Sequence, residues 1–360
     1  MARIYLGTTI DINKEQYLPI MQSKCTEINS FQNDSIGVME FDADSIISCS
    51  KNSISIRDSY SLAVKKTIIP LKSIVNMNTN ISAYSQTIFP LAISTDKNKI
   101  YCVTSSDNTS YYLSEYNLTT NSWTERLLAG SNITSTYMNF VTQLYVDNEY
   151  AYIYVNNYAK MFKISLTDST LVSQATIGGT SYSIVAFDGS YFYSYSRTTA
   201  TGCACSKYSK TTLQSIASSA TIHDSLNSSY PAVVQYIIVK DNYVYLACGK
   251  STQVDAMIKL NKDTLNIVAS LTQVNIVATR FDVSSNRIIC TGTNGSKDFY
   301  IELNIDTLAI TIPLTEITFK NSTLYAYAHD KSDTFIVGGK VQIEKSYTIQ
   351  SYKKVKGSVI

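Results

Sequence analysis

Along the chain, apolar and polar positions alternate in short runs, broken by turn residues at regular intervals. Alternation over four to eight residues predicts half-buried β-strands, because successive side chains of a strand point to opposite faces. One kind of run recurs seven times: a polar turn, then an alternating strand. It reads "DNEYAYIYV" from Asp147, "DGSYFYSYS" from Asp188, "KDNYVYLACG" from Lys240 and "DKNKIYCVT" from Asp96. Degenerate copies are "DADSIISCS" (42–50), "SSNRIICTG" (284–292) and "DKSDTFIVGG" (330–339).

The surroundings of each copy repeat as well. A strand precedes it, as in "PLAIST" or "QYIIV". A strand, a tight turn and another strand follow it, as in "AMIKLNKDTLNIVASL" (256–271) and "FYIELNIDTLAITIPL" (299–314). One apolar residue follows each of these later turns: Leu62, Trp123, Leu171, Leu213, Leu265, Leu308 and Ile349. Four strands in a period of about 48 residues is the pattern of a propeller blade, which buries its faces against neighbours around a ring. The expectation is therefore all-β: a seven-bladed β-propeller over 36–360, with four antiparallel strands per blade. The first interval is the longest and predicts an insertion between the first two blades. The last blade is expected to supply its own fourth strand, unless "RIYLG" near the N-terminus pairs with an open edge. Residues 1–35 are expected to form a separate docking extension.

Composition narrows the function classes. Of the 360 residues only 16% are charged, and the polar surface falls to Ser, Thr, Asn and 28 tyrosines. The net charge of +2 is dispersed, so nothing resembles the basic footprint of a nucleic-acid binder. No run of 18 apolar residues predicts membrane insertion. The N-terminus "MARIYLGTTIDINKEQY" lacks the apolar core of a signal peptide. The expectation is synthesis in the cytoplasm, with a final place in a virion or phage-tail-like particle.

The seven cysteines do not form a disulfide pattern. Cys49, Cys102, Cys248 and Cys290 fall at equivalent strand positions in four repeats, where they fit as small apolar packing residues. "CAC" at 203–205 lacks the second pair that a zinc site needs. No metal and no cofactor are expected. Of the two histidines, His329 reads as a turn residue and His223, beside Asp224, as the better functional candidate. GxSxG, HExxH, Walker and GxGxxG motifs are missing. No catalytic residue is assigned.

Two resemblances follow from particular residues. "YNLTTNSW" (116–123) and "FIVGG" (335–339) resemble the turn and strand end of kelch repeats, which implies a degenerate kelch-like propeller. "ARIYLGTT" is similar to the opening of phage tail and baseplate proteins, which implies a particle component. The longest loops should gather on one face, where propellers bind their ligands. Candidate ligand or partner residues there are Tyr84, Asp107, Tyr137, Arg197, His223, Asp224 and Tyr230, since tyrosine joins a flat apolar ring to a hydroxyl. The favoured reading is a non-enzymatic binding or assembly module that contacts other particle subunits or a cell-surface glycan or protein. The alternatives are a glycan-cleaving enzyme using Asp107 and Asp224, and an intracellular kelch-like adaptor.

Overall fold

The computed structural model describes residues 26–33, 37–42, 44–59, 61–75, 91–130, 133–179, 183–197, 203–224, 227–231, 234–248, 255–272, 277–283, 287–294, 297–317, 322–331, 334–341 and 347–353. A first strand, β1 (Thr26–Asn33), leads into sheet 1, made of β2 (Gly37–Asp42), β3 (Ser45–Cys49), β4 (Ile54–Asp58) and β5 (Val64–Ile68). Sheet 2 holds β6 (Ser73–Ile74), β7 (Leu91–Ile93), β8 (Lys99–Ser105), β9 (Tyr111–Asn117) and β10 (Ser122–Leu127). A short helix, α1 (Ser135–Met138), precedes sheet 3: β11 (Val141–Val146), β12 (Tyr150–Val155), β13 (Lys160–Ser165) and β14 (Leu171–Thr176). Sheet 4 is β15 (Ile184–Phe187), β16 (Tyr191–Arg197), β17 (Cys203–Ser209) and β18 (Ser215–Ser218). A hairpin, β19 (His223–Asp224) and β20 (Asn227–Pro231), follows it. Sheet 5 is β21 (Val234–Lys240), β22 (Tyr243–Cys248), β23 (Asp255–Asn261) and β24 (Ile267–Thr272). Sheet 6 is β25 (Val277–Val283), β26 (Arg287–Asn294), β27 (Lys297–Asn304) and β28 (Ile310–Ile317). Sheet 7 joins β29 (Ser322–Lys331), β30 (Thr334–Val341) and β31 (Tyr347–Lys353) to β1.

Sheets 2 and 3, 4 and 5, 5 and 6, and 6 and 7 meet through their innermost strands, and sheets 1 and 2 and sheets 3 and 4 share buried apolar clusters. β2 lies against β29, so the first sheet meets the last. Six sheets are four-stranded propeller blades; sheet 2 has five strands. The expected seven four-stranded blades are thus corrected to six, and sheet 2 shows why. Its inner strand is split: Ser73 and Ile74 pair with Ser105 and Thr104, the Val75 amide donates to Val103, and Leu91 resumes against Cys102. The long insertion expected between blades therefore leaves from inside this strand, between two adjacent register positions.

The closing sheet departs from expectation too. Its outer strand is β1, paired antiparallel with β31 from Thr26↔Lys353 to Asn33↔Tyr347. Part of the segment expected to stand apart as an extension is a blade strand, and "RIYLG" lies outside the described residues. Ile349 sits in mid-strand opposite Phe31 and Gly338 rather than after a turn. His329 pairs with Ile336 inside β29 and is not a turn residue.

The last turn of a blade has a common build. In five sheets an amide donates back four residues, Leu62 to Asp58, Ser169 to Ser165, Leu213 to Ser209, Leu265 to Asn261 and Leu308 to Asn304. The donor residue is left-handed in each, with φ between 57° and 59°. Side chains preset the loop: Asn261 Oδ1 accepts from the amides of Asp263 and Thr264, and Asn304 Oδ1 from those of Asp306 and Thr307. Four of these positions are buried leucines, and Leu213, Leu265 and Leu308 lie in the seams between neighbouring sheets. In sheet 2 the left-handed residue is Asn121, and the apolar Trp123 comes two residues later, as Leu171 does after Ser169. A β-bulge follows the turn in the same five sheets, twisting the outer edge away from further pairing.

The core lies between sheets. Ile47, Cys49 and Ile54 of sheet 1 pack on Leu91, Ile100 and Cys102 of sheet 2, while Cys290 fills the seam between sheets 5 and 6. Burial pushes the Cys49, Cys102, Cys205 and Cys290 thiols well above their ordinary range, as suits packing residues. Cys203 and Cys205 are likewise buried strand residues.

Candidate functional site

The connections between successive sheets and the turns between second and third strands emerge on one face. Around sheets 2 and 3 the structure ties three of these segments together. The first is the turn at 105–110, where Asp107 Oδ1 accepts from the amides of Thr109 (2.9 Å) and Ser110 (2.8 Å). Ser110 Oγ donates to Asp107 Oδ2 at 3.2 Å. The second is the connection carrying α1, and the third the 3-10 turn Asn156–Tyr158.

Tyr111 joins the first two. Its hydroxyl donates to the Asn108 carbonyl at 2.6 Å and lies 2.7 Å from Asn139 Oδ1. Aromatic contacts join the second and third: Tyr137 meets Tyr158 edge-on at 4.8 Å, and Phe140 meets the same ring at 6.0 Å. Lys160 donates to the Tyr137 hydroxyl at 3.2 Å, with its ammonium 4.5 Å from that ring's centre. Tyr158 remains 37% exposed. The outcome is a braced aromatic platform on segments that also carry Asn108, Asn139, Asn156 and Asn157, chemistry suited to stacking and hydrogen bonding.

Two candidates from the sequence, Asp107 and Tyr137, meet in this assembly through Asn108, Tyr111 and Asn139. Amides of Ser110 and Thr109 hold the Asp107 carboxyl well below the usual carboxylate range. A general acid needs the opposite shift. Arg197 ends β16 opposite Cys203, and His223, Asp224 and Tyr230 lie on the β19–β20 hairpin, so this group belongs to sheet 4 and its exit. Asp107 and Asp224 are thus in separate loop groups, one at sheet 2 and the other beyond sheet 4. Tyr84 lies outside the described residues. Sequence reading missed Tyr158 and Asn139. The tyrosine ending "VNNY" inside a turn was the available signal.

Among the described residues no group of three or more His, Cys, Asp and Glu could hold a metal ion, and no helix is long and apolar enough to cross a membrane.

No protein-family model and no curated protein matches the chain. Solved structures do match in fold. A chain of the mitotic checkpoint complex aligns with a TM-score of 0.59 at 10% identity, covering 97% of this chain and 100% of its own. The computationally designed Ika8 protein aligns at 0.56 and 12% identity, covering 91% and 98%. The C-terminal WD40 domain of Sif2 aligns at 0.51 and 12%, covering 87% and 79%. The kelch-like and phage-baseplate resemblances have no counterpart among these three. Gly338 and Gly339, taken as a kelch strand end, instead lie inside β30 opposite Ile349 and Thr348. What the chain shares with these structures is its fold, an all-β propeller of antiparallel blades.

Proposed function

We propose that the protein is a non-enzymatic binding or assembly module that engages a protein partner through its loop face. The observation that carries this reading is the platform of Tyr137, Phe140 and Tyr158, braced by Lys160 and the Tyr111–Asn139 contact. A rigid scaffold with an exposed aromatic among neutral amides is the composition of a protein-interface centre. The matching chain of the mitotic checkpoint complex, itself part of a multiprotein assembly, agrees with it. The setting we propose is a phage tail or contractile particle, supported by "ARIYLGTT" and the neutral polar composition.

The test measures capture of purified tail or baseplate subunits encoded beside this protein, and of isolated bacterial cell-wall glycan. Tyr158→Ala is expected to weaken subunit capture about tenfold or more with the thermal midpoint unchanged. Undiminished capture by this variant would refute the platform as the contact. Binding to glycan alone would move the partner class to sugars. Release of reducing ends from that glycan would replace the module with an enzyme.

A further inference from the structure

Where sheets 3 and 4 meet beneath their connection, buried hydroxyls gather. Tyr154 on β12, Ser183 just before β15 and Ser194 on β16 are all fully buried. Ser183 Oγ donates to the Gly179 carbonyl, and the Gly178 amide donates to the Tyr208 hydroxyl at 2.9 Å. Ser194 Oγ has no hydrogen-bond partner, and Tyr154 Oη, although the Ser183 hydroxyl stands near it, makes no bond of good geometry. Gly178 shows that the serines border one space. A Cβ on it would stand 2.8 Å from both Ser183 Oγ and Ser194 Oγ, and its φ of +92° also favours glycine.

An interior hydroxyl without a partner costs about 1–3 kcal/mol, so two together need an occupant that serves both. The enclosing groups named here are hydroxyls, an amide and a carbonyl. None carries a charge, and burial raises the Tyr154 phenol well above its ordinary value, with the Ser183 hydroxyl opposing this only in part. The phenol is therefore neutral near pH 7. Neutral hydroxyls both donate and accept, and the fitting ligand is small, neutral and able to do the same.

We propose that this seam is a sealed hydration site, in which an ordered water bridges Tyr154 Oη and Ser194 Oγ beneath the Gly178–Gly179 turn. The site lies under the connection between sheets 3 and 4, so the water pins one segment of the loop face to the core. It does not depend on what that face binds.

A high-resolution crystal structure of the full chain should show an ordered oxygen about 3 Å from both atoms. A direct Tyr154–Ser194 bond, or a dry gap, overturns the proposal. In solution, Tyr154→Phe, Ser194→Ala and the double variant are unfolded in urea. Each single variant should raise the unfolding constant. The double variant should raise it about fivefold less than the product of the two, because one removal already disrupts the shared water. Strictly multiplicative effects, or no effect of either single change, overturn it.

Discussion

A left-handed backbone at a residue other than glycine is disfavoured by roughly 1–2 kcal/mol, and the last turn of a blade accepts it repeatedly. What opposes that strain differs from turn to turn. Leu213 (φ 57°) is 1% exposed and packs into the seam between sheets 3 and 4. Ser169 (φ 59°) is just as buried but contributes a hydroxyl with no partner. The same substitution should therefore have opposite signs. Ser169→Gly relieves strain and removes the orphaned hydroxyl, which outweighs glycine's extra chain entropy, and should stabilise by about 1 kcal/mol. Leu213→Gly relieves similar strain but forfeits a buried leucine, and should destabilise by about 2–3 kcal/mol. Urea midpoints read both, and equal signs would refute the account. Asp147 adds a pH dependence. Burial raises its carboxyl, but the amides of Glu149 and Tyr150 and the Lys210 ammonium at 2.9 Å more than offset it, leaving it below its ordinary range. A depressed carboxyl contributes stability above its unfolded pKa, about 3.9, that is lost as pH falls through the lower folded value. Asp147→Asn should thus flatten the fall in stability below about pH 4; parallel curves for variant and parent would exclude the role.

At the scale of elements, neighbouring sheets are fastened by one device used three times. The second tyrosine of each "YxY" run stands opposite a lysine one strand outward: Tyr152↔Lys163, Tyr193↔Lys207 and Tyr245↔Lys259. Each ammonium lies 3.8 to 4.2 Å from the centre of the run's first ring, at Tyr150, Tyr191 or Tyr243. It then reaches the last turn of the next sheet, at Thr211, Asp263, or Ile305 and Asp306. The "YxY" runs were legible as strands, but their lysines were not. Pairing depends on register between strands, which alternation within one strand does not encode. The partners set the magnitudes. Lys259 donates to two backbone carbonyls and is 1% exposed, so Lys259→Met should cost about 2 kcal/mol, nearly independent of salt. Lys207 holds an Asp263 side chain that is 75% exposed, so Lys207→Met should cost under about 1 kcal/mol and less still in high salt. Denaturant titrations at low and high salt separate the two, and a Lys207 effect as large as that of Lys259 would sink the ranking.

The whole molecule closes by joining its two ends, and this is where sequence reading was weakest. The repeat was legible because its signals are local: alternation, Asp-Asn and Asp-Gly turns, and a steady period. Asp107 and Tyr137 were legible for the same reason, as polar and aromatic residues in irregular loops. Their joining through Tyr111 and Asn139 depends on how two sheets pack, and so escaped. The split inner strand of sheet 2 and the pairing of β1 with β31 are long-range choices of register that no window of sequence contains. Closure by β1 changes what loss of the N-terminus means. A docking arm could be removed with the ring intact, whereas removal of Thr26–Asn33 takes away the outer strand of sheet 7 and bares the edge of β31. Deletion of residues 1–33 should therefore lower the thermal midpoint, broaden the transition and drive concentration-dependent association through the bared edge. A synthetic peptide spanning residues 24–35, added in trans, should restore the midpoint by strand addition, as extended peptides do at open sheet edges. A truncated chain that stays monomeric and melts like the parent would show that the ring closes by packing between sheets 1 and 7 alone, with β1 dispensable.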